Sequence, residues 1–278
     1  MLSQKVTIGY AAHMIVTVSS GKGGVGKTTT VLALAAVLGA DQHRHGLGIP
    51  VVLDLDPRSD ATRGVGIQPG GNRYEALFGG GLNGVATDGL SQAEVRTDEG
   101  FAIFPGSPET AFLEAWHFSV AGADDIARRR LRDLCAGRLA IIDTAPGFDR
   151  ALTQGAIGAA DVLIIPFIPE PFAADGALDV LDVVRTFPDA DPTVMTVATM
   201  VEARRTLTGT VLNDIAKRGY PVDAMVPNAV AAAEAPWQGK SVVAYAPKSP
   251  VTREYEKAAE HIIAIAKLAK KKAYCHFA

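Results

Sequence analysis

The stretch SSGKGGVGKTTT, residues 19–30, constrains this 278-residue chain more than any other. Gly21 to Thr28 satisfies the spacing G-x-x-x-x-G-K-[ST]. It stands between an apolar, β-rich run, MIVTVSS at 14–20, and a segment whose Val31, Leu34, Ala35 and Leu38 recur at helical spacing. A strand that enters a helix through such a loop is built to hold phosphate. Gly23, Gly24, Val25 and Gly26 offer backbone N–H groups, the helix N-terminus adds partial positive charge, and Lys27 adds a full one. Thr28 supplies a hydroxyl for Mg2+, and Thr29 one for the α-phosphate. Lys22 is then a second lysine in a loop whose own chemistry needs one.

The strand–loop–helix pattern repeats along the chain. PVVLDLD (50–56), FAIFPGS (101–107), LAIIDTAP (139–146), VLIIPF (162–167), TVMTVATM (193–200) and VDAMVP (222–227) are short apolar runs. Near-continuous hydrophobic runs fit strands covered on both faces, and helices are expected at 124–136, 173–187, 208–218 and 252–271. The fold class that follows is α/β: a single doubly wound, mostly parallel sheet with helices on both faces. With 48% hydrophobic residues the chain can bury one large core. Residues 14–272 read as that domain, 1–13 as an N-terminal extension and 273–278 as a tail. Residues 64–100 are rich in glycine and weakly patterned, which predicts irregular surface structure with a short helix at 73–78.

A net charge of −3 provides no global attraction to nucleic acid or to an anionic membrane, so any such binding needs a local patch. The two cysteines, Cys135 and Cys275, form no C-x-x-C pair, which argues against a disulfide framework or a cysteine-ligated cluster within one chain and makes the cytoplasm the expected compartment. His43 and His45 form an H-x-H read as part of a surface loop.

Ligands in open α/β sheets sit beyond the carboxyl ends of the strands, so aspartates that finish strands are the metal and water candidates. Asp143 ends LAII, and Asp54 and Asp56 end PVVLDLD ahead of Pro57. Asp143 suits Mg2+ held through a water. For Asp54 and Asp56 the competing role is to cap a turn.

KGGVGKTT (22–29), DLDPRSDAT (54–62) and IIDTAPG (141–147) resemble the deviant Walker A ATPases of the ParA/MinD family, in order and in spacing, from Met14 to about Lys271. TMVEARRTLTG (199–209) and the segment from Val226 to Tyr255 are similar to the ParA side of that family. The resemblance implies a P-loop NTPase fold, ATP and Mg2+ as cofactors, and slow, partner-stimulated hydrolysis of ATP. It assigns Lys22 to the phosphates held by the other subunit of a nucleotide sandwich dimer, Lys27 to its own, and Asp56 to orienting the attacking water. Thr28, Asp56 and Asp143 become the metal set. Thr199 and Pro227 join the loop residues as nucleotide-binding positions around adenine. The implied partners are a second copy of the chain, non-specific DNA and a ParB-like or other adaptor; the implied role is to position or segregate a plasmid, chromosome or other cargo, with nucleoid association where DNA is bound.

The chain departs from the pattern in two places. Arg58 follows Pro57 where relatives commonly carry glutamine, and Asn228 and Ala231 stand where DNA-binding relatives often carry arginines. Each lost cation lowers phosphate affinity and its salt dependence together. Other basic clusters are Arg128, Arg129, Arg130 and Arg132; Arg204 and Arg205; Lys217 and Arg218; and Lys267 with Lys270 to Lys272, the last being the first choice for DNA. Ile262, Ile263, Ile265 and Leu268 precede those lysines, so a MinD-like membrane-associated positioning ATPase is one alternative. A metabolic ATP-dependent enzyme on the same fold is the other.

Overall fold

The computed structural model describes residues 13–70, 94–108, 110, 121–202 and 206–275. The apolar runs pair as β1 (Met14–Val18), β2 (Val51–Asp54), β3 (Val95–Arg96), β4 (Ala102–Phe104), β5 (Leu139–Asp143), β6 (Val162–Phe167), β7 (Thr193–Val201) and β8 (Val222–Pro227). Among the described residues they form an eight-stranded sheet in the order β3-β4-β2-β5-β1-β6-β7-β8. Every pairing is parallel except that of β3 with β4.

The order places β1 between β5 and β6, where the winding direction reverses, and the loop that leaves β1 opens into the crevice such a reversal creates. Register then decides which side chains meet there. Val18 lies opposite Asp143, and Asp143 opposite Asp54, so the last residues of β1, β5 and β2 stand level at one edge of the sheet.

Among the described residues the helices are α1 (Lys27–Ala40), α2 (Gln42–His45), α3 (Asp60–Gly64), α4 (Ala123–Leu134), α5 (Ala151–Gly158), α6 (Ala173–Leu178), α7 (Val180–Arg185), α8 (Thr206–Lys217), α9 (Val230–Glu234), α10 (Val242–Tyr245) and α11 (Pro250–Cys275), with a 3-10 turn at Ala235–Gln238. Alternation along the strands divides the core between the two faces of the sheet. Val16, Val18, Ile141 and Val162 join Leu34 and Leu38 of α1 and Tyr255 and Ile262 of α11. On the other face Ile15, Leu53 and Ile142 pack with Leu131 of α4, while Leu163 and Ile165 pack with Val180 and Ile215. The Tyr255 hydroxyl sits 3.1 Å from Thr30 Oγ1 inside this core, so a buried phenol is satisfied by the helix that carries the loop.

The fold class matches the expectation and several local details refine it. The helix expected at 173–187 divides at Asp179, where the N–H of Asp182 bonds the carbonyl of Asp179, a tightened turn. α5 was not anticipated, because its Gly155 and Gly158 lower helix propensity. Packing explains both glycines: a methyl group at Gly155 would lie 2.6 Å from Ala127 Cβ, and one at Gly158 would lie 2.7 Å from the Phe187 ring. His43 and His45 fall in α2 rather than in a loop. His45 is buried, its Nε2 2.7 Å from the carbonyl of Leu38 while its Nδ1 accepts the Leu47 N–H at 3.0 Å, which makes it a helix-end brace. The extension at 1–12, the helix expected at 73–78, Arg204 and Arg205 lie outside the described residues.

Candidate functional site

The loop from Gly21 to Gly26 turns on two left-handed glycines, Gly24 at φ 75° and Gly26 at φ 85°, conformations that side chains rarely adopt. Gly26 is also the N-cap residue of α1, so the unpaired N–H groups of the first helical turn face the loop. Lys27 is buried, and its Nζ donates to the carbonyl oxygen of Lys22 at 3.2 Å, closing the loop on itself. Burial lowers the Lys27 pKa, while the charges of Asp143 and then Asp56 pull it back up. Thr199 supports the loop from beneath: its hydroxyl lies 2.9 Å from the carbonyl of Val25 and 3.1 Å from that of Phe167, and its methyl is 3.5 Å from where a Gly26 Cβ would stand. Pro227 closes β8 opposite Val201, two residues beyond Thr199. Thr29 lines a cavity of about 30 Å³ with Asp60 and Ala232, on the side of α1 toward α3 and α9.

The charges of two aspartates, Asp143 and Asp56, act on Lys27, and a third, Asp54, stands opposite Asp143 across the sheet. Thr28 Oγ1 donates to Asp143 Oδ2 at 2.8 Å, whereas Asp143 Oδ1 is buried and has no hydrogen-bond partner. Burial, followed by the charge of Asp54, raises Asp143 well above the usual carboxylate range. Asp56 is buried too, its Oδ1 accepting the Arg58 N–H at 2.9 Å. The Arg58 side chain turns outward to Asp60 at 3.1 Å, so its positive charge is paired on the surface. Asp54, the strand-ending aspartate left outside the predicted site, is as deeply buried as Asp143. Burial pushes its carboxyl up to about 6 against the pull of its Thr62 hydrogen bonds.

The donor set suits a hard divalent cation. A buried carboxylate oxygen without a partner stands beside a threonine hydroxyl, and magnesium takes one or two such protein oxygens, completing its shell with phosphate and water.

Lys22 behaves differently from Lys27. Its side chain is 71% exposed and its Nζ lies 3.2 Å from Glu170 Oε2, outside its own loop. Next to this pair a cavity of about 180 Å³ is lined by Ser20, Val25, Phe167 and Phe172. Sequence reasoning passed over Glu170 and Phe172; the compressed PEPF at 169–172 after β6 was the available signal.

The basic clusters are largely committed elsewhere. Arg128 stacks over the Phe187 ring at 5.7 Å, Arg129 pairs with Asp125 and Arg132 with Asp161. Arg218 bridges Asp175 and Asp214. Lys267 is exposed on α11 beside Leu268, which is 62% exposed, and Lys270 Nζ reaches the carbonyl of Gly46. Among the described residues no helix is long and apolar enough to cross a membrane.

Comparison with known proteins agrees with this geometry. A family model described as an AAA domain matches residues 13–196, a span that holds the loop and all three aspartates. The chromosome-partitioning ATPase Soj of Thermus thermophilus is 32% identical over 256 residues, 90% of this chain and 95% of that protein. The solved structure of cobyrinic acid a,c-diamide synthase from Mycobacterium smegmatis with bound ADP and magnesium superposes with a TM-score of 0.68 at 26% identity, covering 90% of this chain and 94% of the other. The septum site-determining protein MinD of Pyrococcus horikoshii, complexed with Mg-ADP, shares the fold with a TM-score of 0.69 at 20% identity, covering 90% and 95%. Loop, strand-end carboxylates and extent of match agree: the chain belongs to the ParA/MinD family of P-loop ATPases.

Proposed function

We propose that this ATPase is a ParA-like positioning switch. ATP, taken up with Mg2+, closes two copies into a sandwich dimer; the dimer binds non-specific DNA; and an adaptor protein of the ParB kind stimulates hydrolysis and releases it. The cargo is a plasmid, a chromosome region or another body. The division of labour between the two lysines carries this reading. Lys27 is buried inside the loop, where a chain's own phosphates would lie, while Lys22 stands exposed at the rim with its ammonium directed away. A cation so placed adds little to its own pocket but is free to meet the phosphates of a facing copy, where developing charge in a dry interface rewards it most.

In this reading the backbone N–H groups from Gly23 to Gly26 and Lys27 bind the phosphates, and Thr28, Asp56 and Asp143 would hold Mg2+. When bound, Mg2+ would supply positive charge against the phosphates. Asp56, held by the Arg58 N–H, orients the water, and its segment together with the DTAPG segment after β5 responds to loss of the γ-phosphate. Thr199 and Pro227 flank adenine. DNA is taken by the lysines late in α11, since the arginines of α4 and Arg218 are already paired. The protein then acts in the cytoplasm, on the nucleoid.

Light scattering with a non-hydrolysable ATP analogue tests the dimer, with Asp56→Ala and ATP as the second arm. Doubling of mass in both is expected; a monomer in both overturns the reading. Salt-dependent DNA retardation of the dimer tests the nucleic-acid half separately.

A further inference from the structure

Asp54 has no place in the reading above, yet it is among the most tightly held groups near the loop. It is 1% exposed and ends β2 directly opposite Asp143. Its Oδ2 accepts two hydrogen bonds from one residue, the Thr62 N–H at 2.8 Å and the Thr62 hydroxyl at 2.6 Å. The same hydroxyl oxygen accepts the N–H of Gly106 at 2.8 Å, from a loop 44 residues further along the chain. The end of β2, the middle of α3 and the loop after β4 thus meet at one carboxylate.

The space around this junction is closed. A methyl group at Gly106 would stand 2.8 Å from Asp54 Cγ and equally close to Ser59 Oγ, so only glycine brings that N–H within reach of Thr62. A turn cap needs a local N–H and nothing else; here the hydroxyl is spent on a long-range link, and bonds to an ionised oxygen are the strong ones.

The consequence falls on Asp56. Residues 54 to 62 form a short closed segment with both ends tied to the Asp54 carboxylate, and Asp56 lies inside it with its own Oδ1 on the Arg58 N–H. Asp54 and Asp143, level across the sheet with an unpartnered oxygen each, repel one another when charged; the Thr62 bonds hold the end of β2 in place against that force.

We propose that Asp54 is a positioning residue for ATP hydrolysis: through Thr62 and Gly106 it fixes the 55–61 segment so that the Asp56 carboxylate faces the phosphate loop. The inference rests on the reading of Asp56 as the residue that orients water. A tether of this kind acts on the attack geometry and leaves nucleotide affinity to the loop, so its loss separates turnover from binding.

The test compares Thr62→Val, Thr62→Ser and Asp56→Ala in the full chain, with Kd for a non-hydrolysable ATP analogue from calorimetry and kcat from phosphate release. Thr62→Val keeps shape and the N–H bond but removes the hydroxyl; kcat is expected to fall about tenfold or more with Kd within about twofold, and Thr62→Ser to restore turnover to within about twofold. Should Thr62→Val fail to fold, Asp54→Asn replaces it under the same criteria. Turnover unchanged in the hydroxyl-free variant, or lost in proportion to nucleotide affinity, overturns the proposal. Unchanged turnover in Asp56→Ala instead overturns the reading it rests on, so the two failures are told apart.

Discussion

Lys22 Nζ stands 3.2 Å from Glu170 Oε2, while Lys27 Nζ turns back onto the carbonyl oxygen of Lys22 itself. One ammonium is therefore committed to the loop, and the other is held at its rim by an exposed pair. Such pairs contribute about 1 kcal/mol at most, so Glu170 restrains Lys22 without trapping it. Lys22→Gln is expected to abolish ATP-dependent association while leaving ATP binding by the single chain within about threefold of wild type. Lys27→Gln, by contrast, is expected to lose nucleotide binding. Calorimetry and light scattering on the same samples separate the two effects, and a Lys22→Gln chain that still dimerises would remove the assigned role.

Much of this site was legible in the sequence because its determinants are local. The glycines, Lys27 and Thr28 sit within eight residues, and each candidate aspartate ends an apolar run, so spacing alone places them at one edge of a parallel sheet. Glu170 and Thr62 were not legible, since what matters about them is a partner far along the chain: Lys22 at a separation of 148 residues, and Gly106 at 44. The arginines of α4 were misleading for the same reason, because Asp161 and Phe187 neutralise or cover them from other elements. Composition counts charges; only the fold says which are spent.

The paired buried aspartates predict how the nucleotide-free chain responds to pH. Asp54 is raised from 3.8 to about 6 by burial, and Asp143 is held well above the ordinary carboxylate range by burial and by the charge of Asp54. In the window between the unfolded and folded values the folded chain holds protons that the unfolded chain has released. The stability these groups contribute is thus complete below the unfolded value and is lost as pH rises through the folded one. Urea titrations should show wild type losing stability relative to Asp54→Asn as pH increases from about 4 to about 6. Equal slopes for the two proteins would show that Asp54 is ionised in the folded state throughout.

Cys135 makes a kinetic prediction. It is wholly buried against α5 and the sheet, and burial pushes its thiol up to about 12 from 9.0. The thiolate is the reactive form, so this shift alone suppresses alkylation about a thousandfold, before access is counted. In a Cys275→Ser background, labelling of the native protein should be at least that much slower than in urea. A rate within about tenfold of the unfolded rate would mean that the α4–α5 layer opens readily.

That layer can be probed directly with two glycines of opposite environment. At Gly155 a methyl group would meet Ala127 Cβ at 2.6 Å, the Arg128 backbone nitrogen at 2.7 Å and the Asp124 carbonyl oxygen at 2.8 Å. Two of those three atoms are backbone, so no rotamer change relieves the clash and α4 must move off α5. Gly176 in α6 has nothing within 4 Å of the same position. Gly155→Ala is expected to destabilise by about 1–3 kcal/mol through overpacking, whereas Gly176→Ala is expected to add about 0.5–1 kcal/mol by relieving the entropic cost of glycine in a helix. Midpoints of urea unfolding at unchanged slope measure both. A Gly155→Ala chain as stable as wild type would mean that the two helices lie further apart than the geometry requires, and that Arg128 is free to leave Phe187.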